Sequence, residues 1–385
     1  MWGAGAIWNI TRWMSIFLGS YLVDKLTSSP FRVQLVGVAF YLPMFLGGLL
    51  AGMISDRFDR RRTVLRQMVL LAPIAGIMAA LVWSDHVQVW MIYFYMLVVG
   101  IGGVVDMTNR RALVYDMVGE ELITNAMALE SMSMSVGNML GALTGGTVIG
   151  LLGLGQAYAV IAGLFVACFL LMRPVPAPPR RGLAAAPASI KADLTSAIRS
   201  LPDNRPLVSL LGVTFAMNFL FFSYMPLIPV FARTFHAGPI LTGLLASGSG
   251  IGMMLGSLLV ARVNPRRRGV VYVGGSFFAM AVIIVFANMH LYPLALVTLI
   301  VMGICSAGFG STQSALVMSV TSDDMRGRAM GLLSMTIGAL PFGMFALGVL
   351  AERVGPATAV VISSTIGIVG LALWLVRYPE IIKIR

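Results

Sequence analysis

The sequence predicts an all-α integral membrane protein of 12 transmembrane helices in two pseudo-symmetric six-helix bundles, on three observations. Hydrophobic residues fill 58% of 385 positions at a mean hydropathy of +0.90, which leaves too little polar surface to coat a water-soluble globule. Apolar runs of the roughly 20 residues that cross a bilayer recur along the whole chain. Short blocks of the first half also return in the second half at a single offset. Helices are required because lipid offers backbone N–H and C=O groups no partner, and no run shows the alternation of a membrane barrel strand.

The runs centre near Trp13, Met44, Ala75, Tyr95, Ser135 and Gly163, then Leu220, Gly250, Met280, Gly303, Ile337 and Ile366. Between the two sets lies the longest polar interruption. It carries Pro174-Val-Pro-Ala-Pro-Pro-Arg-Arg and then an amphipathic stretch from Ile190 to Leu201, a linker followed by an interfacial helix. The expected organisation is therefore a bundle over 1–172, a cytoplasmic linker over 173–205, a second bundle over 206–376 and a tail over 377–385. The repeat supports this division. Ala112-Leu113-Val114 returns as Ala315-Leu316-Val317, Ala126-Met127 as Ala329-Met330, and Ser131-Met132 as Ser334-Met335, all displaced by 203 residues. Two homologous halves of this kind suit a transporter whose halves rock about a central site.

Charge sets the orientation. The 27 Lys and Arg residues give a net charge of +12 against 15 acids. Nearly all of them fall in the loops and tails that are cytoplasmic if both termini are inside, whereas the opposite loops hold only Lys25, Arg32, Arg233 and Arg353. The charge is thus explained by an anionic inner leaflet, and no nucleic-acid partner is expected. The expected partners are the lipid bilayer and a small-molecule substrate, with the chain acting as a monomer in a bacterial cytoplasmic (inner) membrane. The N-terminus has neither the charged leader nor the small-residue cleavage site of a signal peptide, so the first run is expected to be a retained span. Cys168 and Cys305 fall in different halves, which supports neither a disulfide nor a metal site.

The densest charge cluster is Gly52-Met-Ile-Ser-Asp56-Arg57-Phe-Asp59-Arg60-Arg61-Arg62, directly after the second run. Gly, three residues, Asp-Arg, one residue and then Asp-Arg-Arg resembles the loop between helices 2 and 3 of major facilitator transporters, Gly-x-x-x-Asp-Arg-x-Gly-Arg-Arg, with Asp59 where that family has a second Gly. Its counterpart Arg266-Arg267-Arg268 lacks the Gly and the acids. Leu26-Thr-Ser-Ser-Pro30, Asp106-Met-Thr-Asn-Arg110, Asn125-Ala-Met-Ala-Leu129 and Asp324-Met-Arg326-Gly327-Arg328 resemble the drug and siderophore exporter branch, which includes macrolide efflux pumps and enterobactin exporters. That resemblance implies a major facilitator fold and proton-coupled export by alternating access, with the proton gradient as energy source and no cofactor. An importer or a lipid or lysolipid transporter of the same fold is the alternative, because fold fixes neither substrate nor direction. No enzyme motif is present: the sequence has no Walker loop, no His-Glu-x-x-His pair and no nucleophile elbow.

Four constellations carry mechanism. The first is the loop charges Gly52, Asp56, Arg57 and Arg60 with Asp106 and Arg110. The last two are four apart on one helix face and can pair with each other or with Arg60 and Asp56; the resemblance implies a cytoplasmic latch, to which Asp59 adds a more rigid loop. The second is Gly137, Gly141, Gly145 and Gly146, a glycine stripe that lets another helix approach closely. It resembles the exporter motif Gly-x-x-x-Gly-Pro-x-x-Gly-Gly, with Ala142 in place of Pro, and reads as either a packing interface or a gating hinge. The third is Glu130, on the same face as Gly137 and a proton-coupling candidate because an ionisable residue inside a membrane is functional by default. A structural ion pair is its alternative. Arg12 is the fourth. A mid-span charge costs on the order of 2.5 to 3.5 kcal/mol and needs a partner: Glu130, which is favoured, an anionic substrate, or cavity water with the neighbouring Trp rings. Asp106 joins Glu130 and Arg12 as a proton-coupling candidate. Finally, Asn9, Trp13, Phe17, Tyr93, Met96, Asn218, Phe221, Tyr224, Met225, Met302, Phe309 and Gln313 are the candidate wall of a substrate cavity. Its rings and thioethers suit bulky, variable, largely apolar ligands.

Overall fold

The computed structural model describes residues 1–57, 59–176, 204–263, 265–322 and 325–384, with the side chains of 48–57, 119–121, 123–125, 127, 128 and 131 outside the description. The linker and interfacial helix expected before residue 204, and Asp324, lie outside the described residues, as do the side chains of Gly52, Asp56 and Arg57. Every regular element among the described residues is helical: α1 Trp2–Thr27, α2 Pro30–Arg57, α3 Arg60–Trp83, α4 Val89–Leu152, α5 Leu154–Met172, α6 Arg205–Ala216, α7 Ile228–Thr234, α8 Pro239–Val263, α9 Arg268–Ala287, α10 Tyr292–Ser319, α11 Arg326–Ile337, α12 Leu340–Val354 and α13 Pro356–Arg377. Eleven segments of the described chain are long and apolar enough to cross a bilayer. The twelfth span is α1, whose 26 residues suffice in length but whose hydropathy is diluted by Asn9, Thr11, Arg12, Ser15, Ser20 and Asp24.

Several elements differ from twelve simple rods. α4 is helical without interruption for 64 residues. A straight helix would separate Arg110 from Glu130 by about 30 Å, yet their side chains meet at 2.8 Å, so the run folds back between them. Its first arm runs antiparallel to α1, with Tyr95 bonded to Ser15 at 2.9 Å and Gly102 beside Trp8. Its second arm runs parallel, with Gly137, Gly141 and Gly145 set in turn against Asn9, Trp13 and Leu18. The span from Arg205 to Thr234 passes from α6 through a π turn at Met217–Phe221 and a 3-10 turn at Phe222–Leu227 into α7. Pro226 and Pro229 remove backbone donors there, so a regular i to i−4 ladder fails. The span centred near Ile337 is likewise divided, with Gly338 and Ala339 between α11 and α12 and Pro341 at the start of α12.

The chain divides into two compact units. The first comprises Met1–Ser28, the described part of 35–187, and Ala237–Ser247; the second comprises Ser29–Gln34, the described part of 188–236, and Gly248–Arg385. In the first unit the core forms where α1 beds between the arms of α4 and α5, around Trp8, Met14, Leu18, Tyr95, Tyr158 and Phe165. Apolar faces remain exposed along α3 and the first arm of α4, including Leu70, Ile77, Trp90 and Phe94, as required of surfaces that meet lipid. In the second unit α9, α10 and α13 enclose Phe221, Tyr272, Met280, Phe286 and Leu299.

Candidate functional site

The first unit places three of the sequence-derived candidates in one cluster. Asp106 and Arg110 occupy successive turns of the first arm of α4, and the Arg110 Nε donates to Asp106 Oδ2 at 2.8 Å. Glu130 arrives from the far side of the fold-back. The Arg110 Nη1 and Nη2 reach its Oε2 and Oε1, each at 2.8 Å, as a two-pronged pair. Side-chain exposure is 1% for Asp106, 5% for Arg110 and 14% for Glu130, so two carboxylates converge on one guanidinium largely out of contact with water. Asp106 Oδ1 is buried with no hydrogen-bond partner. Gly5 of α1 closes the cluster: a Cβ there would collide with Arg110 Nη1 and stand 3.5 Å from Glu130 Oε2. Only a residue without a side chain lets α1 lie this close.

One favoured pairing is corrected, and one of two open pairings is decided. Arg12 does not pair with Glu130. Its guanidinium lies 5.4 Å from the Trp13 ring centroid and 5.6 Å from that of Phe40, within hydrogen-bonding reach of Tyr41. Cation-π contact thus replaces the expected ion pair, because Arg110 already holds both Glu130 oxygens. Arg60 does not join Asp106 and Arg110 either. It pairs at 2.5 Å with Asp116, almost two turns beyond Arg110 and 2% exposed. The Arg60–Asp116 pair and the inner cluster are consequently two separate charge groups on α4.

Asp59 caps α3. Its carboxylate accepts the Arg62 backbone N–H at 2.8 Å, its carbonyl accepts from Thr63 Oγ1 at 2.9 Å, and it lies 3.9 Å from the Arg62 guanidinium. A carboxylate at a helix N-terminus satisfies an otherwise unpaired donor and complements the helix dipole. Arg61 donates to the Arg173 carbonyl. At the other basic turn, Arg326, Gly327 and Arg328 open α11, with open space around Gly327.

The glycine stripe packs on two sides. A Cβ at Gly141 would lie 2.5 Å from Trp13 Cβ and 2.8 Å from the Ile10 carbonyl, so Gly137, Gly141 and Gly145 face α1. A Cβ at Gly146 would lie 2.5 Å from the Pro239 carbonyl and 2.7 Å from Gly243 Cα, so this glycine faces the first turns of α8. With Ala142 in place of Pro, the α4 helix runs on through this stretch unbroken.

The remaining cavity candidates group within their own units. In the first, Asn9 donates to the Gly5 carbonyl at 3.1 Å, Trp13 lies under Arg12, Met96 packs at Gly19, and Tyr93 is half-buried on the same arm. In the second, Gln313 Nε2 donates to Thr214 Oγ1 at 3.1 Å and Asn218 donates to the Thr214 carbonyl at 2.9 Å. Tyr272 bonds the same Thr214 hydroxyl at 2.7 Å and stacks on Phe309 with centroids 5.0 Å apart. Phe221 packs against Tyr224, and Met225 follows half-buried in the 3-10 turn. Sequence reasoning missed Gly5, Asp116, Thr214 and Tyr272. A glycine inside a helix costs about 1 kcal/mol against alanine, which makes Gly5 a visible signal of close approach; Thr214 and Tyr272 carry no comparable mark.

The profile of the Major Facilitator Superfamily matches residues 1–342. The chain belongs to that superfamily. Among relatives of this major facilitator protein, macrolide efflux protein A of Streptococcus pyogenes is 22% identical over 375 residues, covering 94% of this chain and 91% of the relative. The enterobactin exporter EntS of Citrobacter koseri is 26% identical over 366 residues, covering 92% and 85%. The fold is shared with the solved structure of a bacterial homolog of the human lysosomal transporter Spinster, at TM-score 0.75, 14% identity and coverage of 99% and 97%. It is shared equally with a D-xylose-proton symporter at TM-score 0.76, 13% identity and coverage of 98% and 97%. The protein is thus a multi-pass membrane transporter with the all-helical fold of its superfamily.

Proposed function

We propose that this transporter is a proton-coupled exporter of amphipathic small molecules, in the class of drugs, macrolides or siderophores, acting as a monomer in a bacterial cytoplasmic membrane. Both termini face the cytoplasm in this reading, the bundles 1–172 and 206–376 alternate access to a central site, and the proton gradient is the only energy source. The observation that carries it is the convergence of Asp106 and Glu130 on Arg110. With both carboxylates ionised, Arg110 compensates one of them, while Arg12 and Arg111 act on the pair from beyond ion-pair distance. One proton added to the dyad leaves a single balanced pair. If it resides on Glu130, the two-pronged tie between the arms of α4 weakens while the tie between Asp106 and Arg110 persists. Proton occupancy is thereby converted into freedom of one arm against the other, and the proton belongs to the coupled pair until a variant assigns it. The names of the two relatives, an efflux protein and an exporter, support the outward direction.

Proteoliposomes with an imposed pH gradient, challenged with dyes, macrolides and siderophores, test this directly. The expected result is flux of at least one compound against the proton movement. Flux of substrate and protons in the same direction would establish an importer instead.

A further inference from the structure

We infer that a groove between α3 and the first arm of α4 is a binding site for one anionic diacyl phospholipid, drawn from the leaflet nearest the basic end of α3. The groove encloses about 320 Å³ and is lined by Thr63, Arg66, Gln67, Leu71, Ile101 and Val105, with Leu70, Val98 and Gly102 completing it. Its chemistry is graded along the helix axis. Thr63 and Arg66 stand within the first two turns of α3, Gln67 is next, and Leu70 and Leu71 lie deeper; on α4 the facing residues recede from Val105 to Val98. From Thr63 to Leu71 the helix rises about 12 Å, close to the thickness of one hydrocarbon leaflet, about 15 Å. The outer lip is formed by Leu70 and Ile101, 63% and 50% exposed, so the groove opens toward acyl chains.

Two polar features single out a phospholipid among apolar occupants. Gln67 is only 7% exposed, and both its amide Nε2 and its Oε1 are buried without a hydrogen-bond partner. An unpaired buried amide is costly, and a glycerol ester carbonyl set one turn below the headgroup would accept from its N–H. Arg66 is exposed at the same mouth and forms no ion pair among the described residues. Arg62 lies one turn further out, shared with Asp59. A phosphate there meets net positive charge, and a basic residue at a membrane surface adds about 1 kcal/mol to anionic lipid binding. The groove is separate from the Asp106, Arg110 and Glu130 cluster, and the assignment does not depend on the direction of transport.

Native mass spectrometry of the full-length protein in detergent provides the test, titrating 1-palmitoyl-2-oleoyl phosphatidylglycerol against the phosphatidylcholine with the same chains. Phosphatidylglycerol binds more tightly to the unaltered protein. Arg66→Gln weakens it about fivefold and weakens phosphatidylcholine, whose headgroup carries no net charge, by clearly less, whereas Ile101→Trp, which fills the groove from its exposed lip, weakens both lipids. Gln67→Leu raises the lipid-free melting temperature and reduces the gain on adding phosphatidylglycerol. Equal binding of the two lipids by the unaltered protein overturns the assignment, as does an unchanged phosphatidylglycerol titration with both Arg66→Gln and Ile101→Trp. Retention of phosphatidylglycerol by Ile101→Trp together with loss of a bound hydrophobic dye also overturns it, marking the groove as a small-molecule site.

Discussion

At the scale of single residues, Asp59 and Gly5 do opposite things. Asp59 adds a carboxylate where the resembling transporters have Gly, and the addition serves as the N-cap of α3. Replacing it with Ala should cost about 1 kcal/mol, whereas Asp59→Gly should cost only a few tenths; thermal unfolding in detergent measures both. Gly5 contributes by having no side chain. In Gly5→Ala the new methyl displaces the Arg110 guanidinium from the buried carboxylates that hold it, so stability should fall by about 1 to 3 kcal/mol and proton-driven transport should fall with it, read by unfolding and by flux. Asp106, Arg110 and Glu130 were legible in the sequence as charges where charge is expensive, and Asp59 as an acid where the resembling loop has Gly. The Asp106–Arg110 pair was offered by its spacing of four and is present; the partner of Glu130 was not legible, because Arg110, Arg12 and Arg60 are equally good cations on paper, and only the fold-back of α4 decides which one reaches it.

Among the elements, α4 shows most clearly what sequence patterning conveys and what it omits. Two apolar runs centred near Tyr95 and Ser135, separated by the polar stretch from Asp116 to Asn125, mark its two arms, but no Pro interrupts 89–152 and the backbone stays helical through the turn between them. The glycines of the second arm were readable as a stripe, and their separate partners, α1 and the start of α8, emerge only from the packing. In a bilayer such contacts are held by close packing rather than by exclusion of water. Gly141→Ala should therefore destabilise by about 1 to 3 kcal/mol, since its methyl meets α1 backbone that has little room to retreat. Gly103→Ala, facing open space, should be neutral or slightly stabilising. The contrast between the two melting temperatures checks the interface. A second regularity lies at the helix junctions: Gly153 between α4 and α5 and Gly355 between α12 and α13 both adopt positive φ, of 103° and 85°, within one residue of the 203-residue repeat.

Across the whole molecule, the repeat pairs unlike chemistry at like positions. Displaced by 203 residues, Asp106 corresponds to Phe309, Arg110 to Gln313 and Thr11 to Thr214. The first half thus carries ion pairs where the second half carries a ring and an amide, gathered with Tyr272 around Thr214. The duplication was readable from three short blocks of sequence, yet the division of labour was not, because Thr214 and Tyr272 become notable only once they share a hydrogen-bond network. A division of this kind predicts separable defects. Gln313→Ala and Tyr272→Phe should weaken apparent substrate affinity with the pH dependence of flux intact, whereas Glu130→Gln should spare affinity and abolish that dependence; substrate titrations at several pH values distinguish them. The central claim, that the Asp106, Arg110 and Glu130 cluster couples proton movement to export, is tested most directly by Glu130→Gln in proteoliposomes. Glutamine matches the protonated carboxyl in shape and charge. The account predicts that substrate exchange at equal pH persists while uptake driven by a pH gradient is lost; gradient-driven uptake equal to that of the unaltered protein would contradict it.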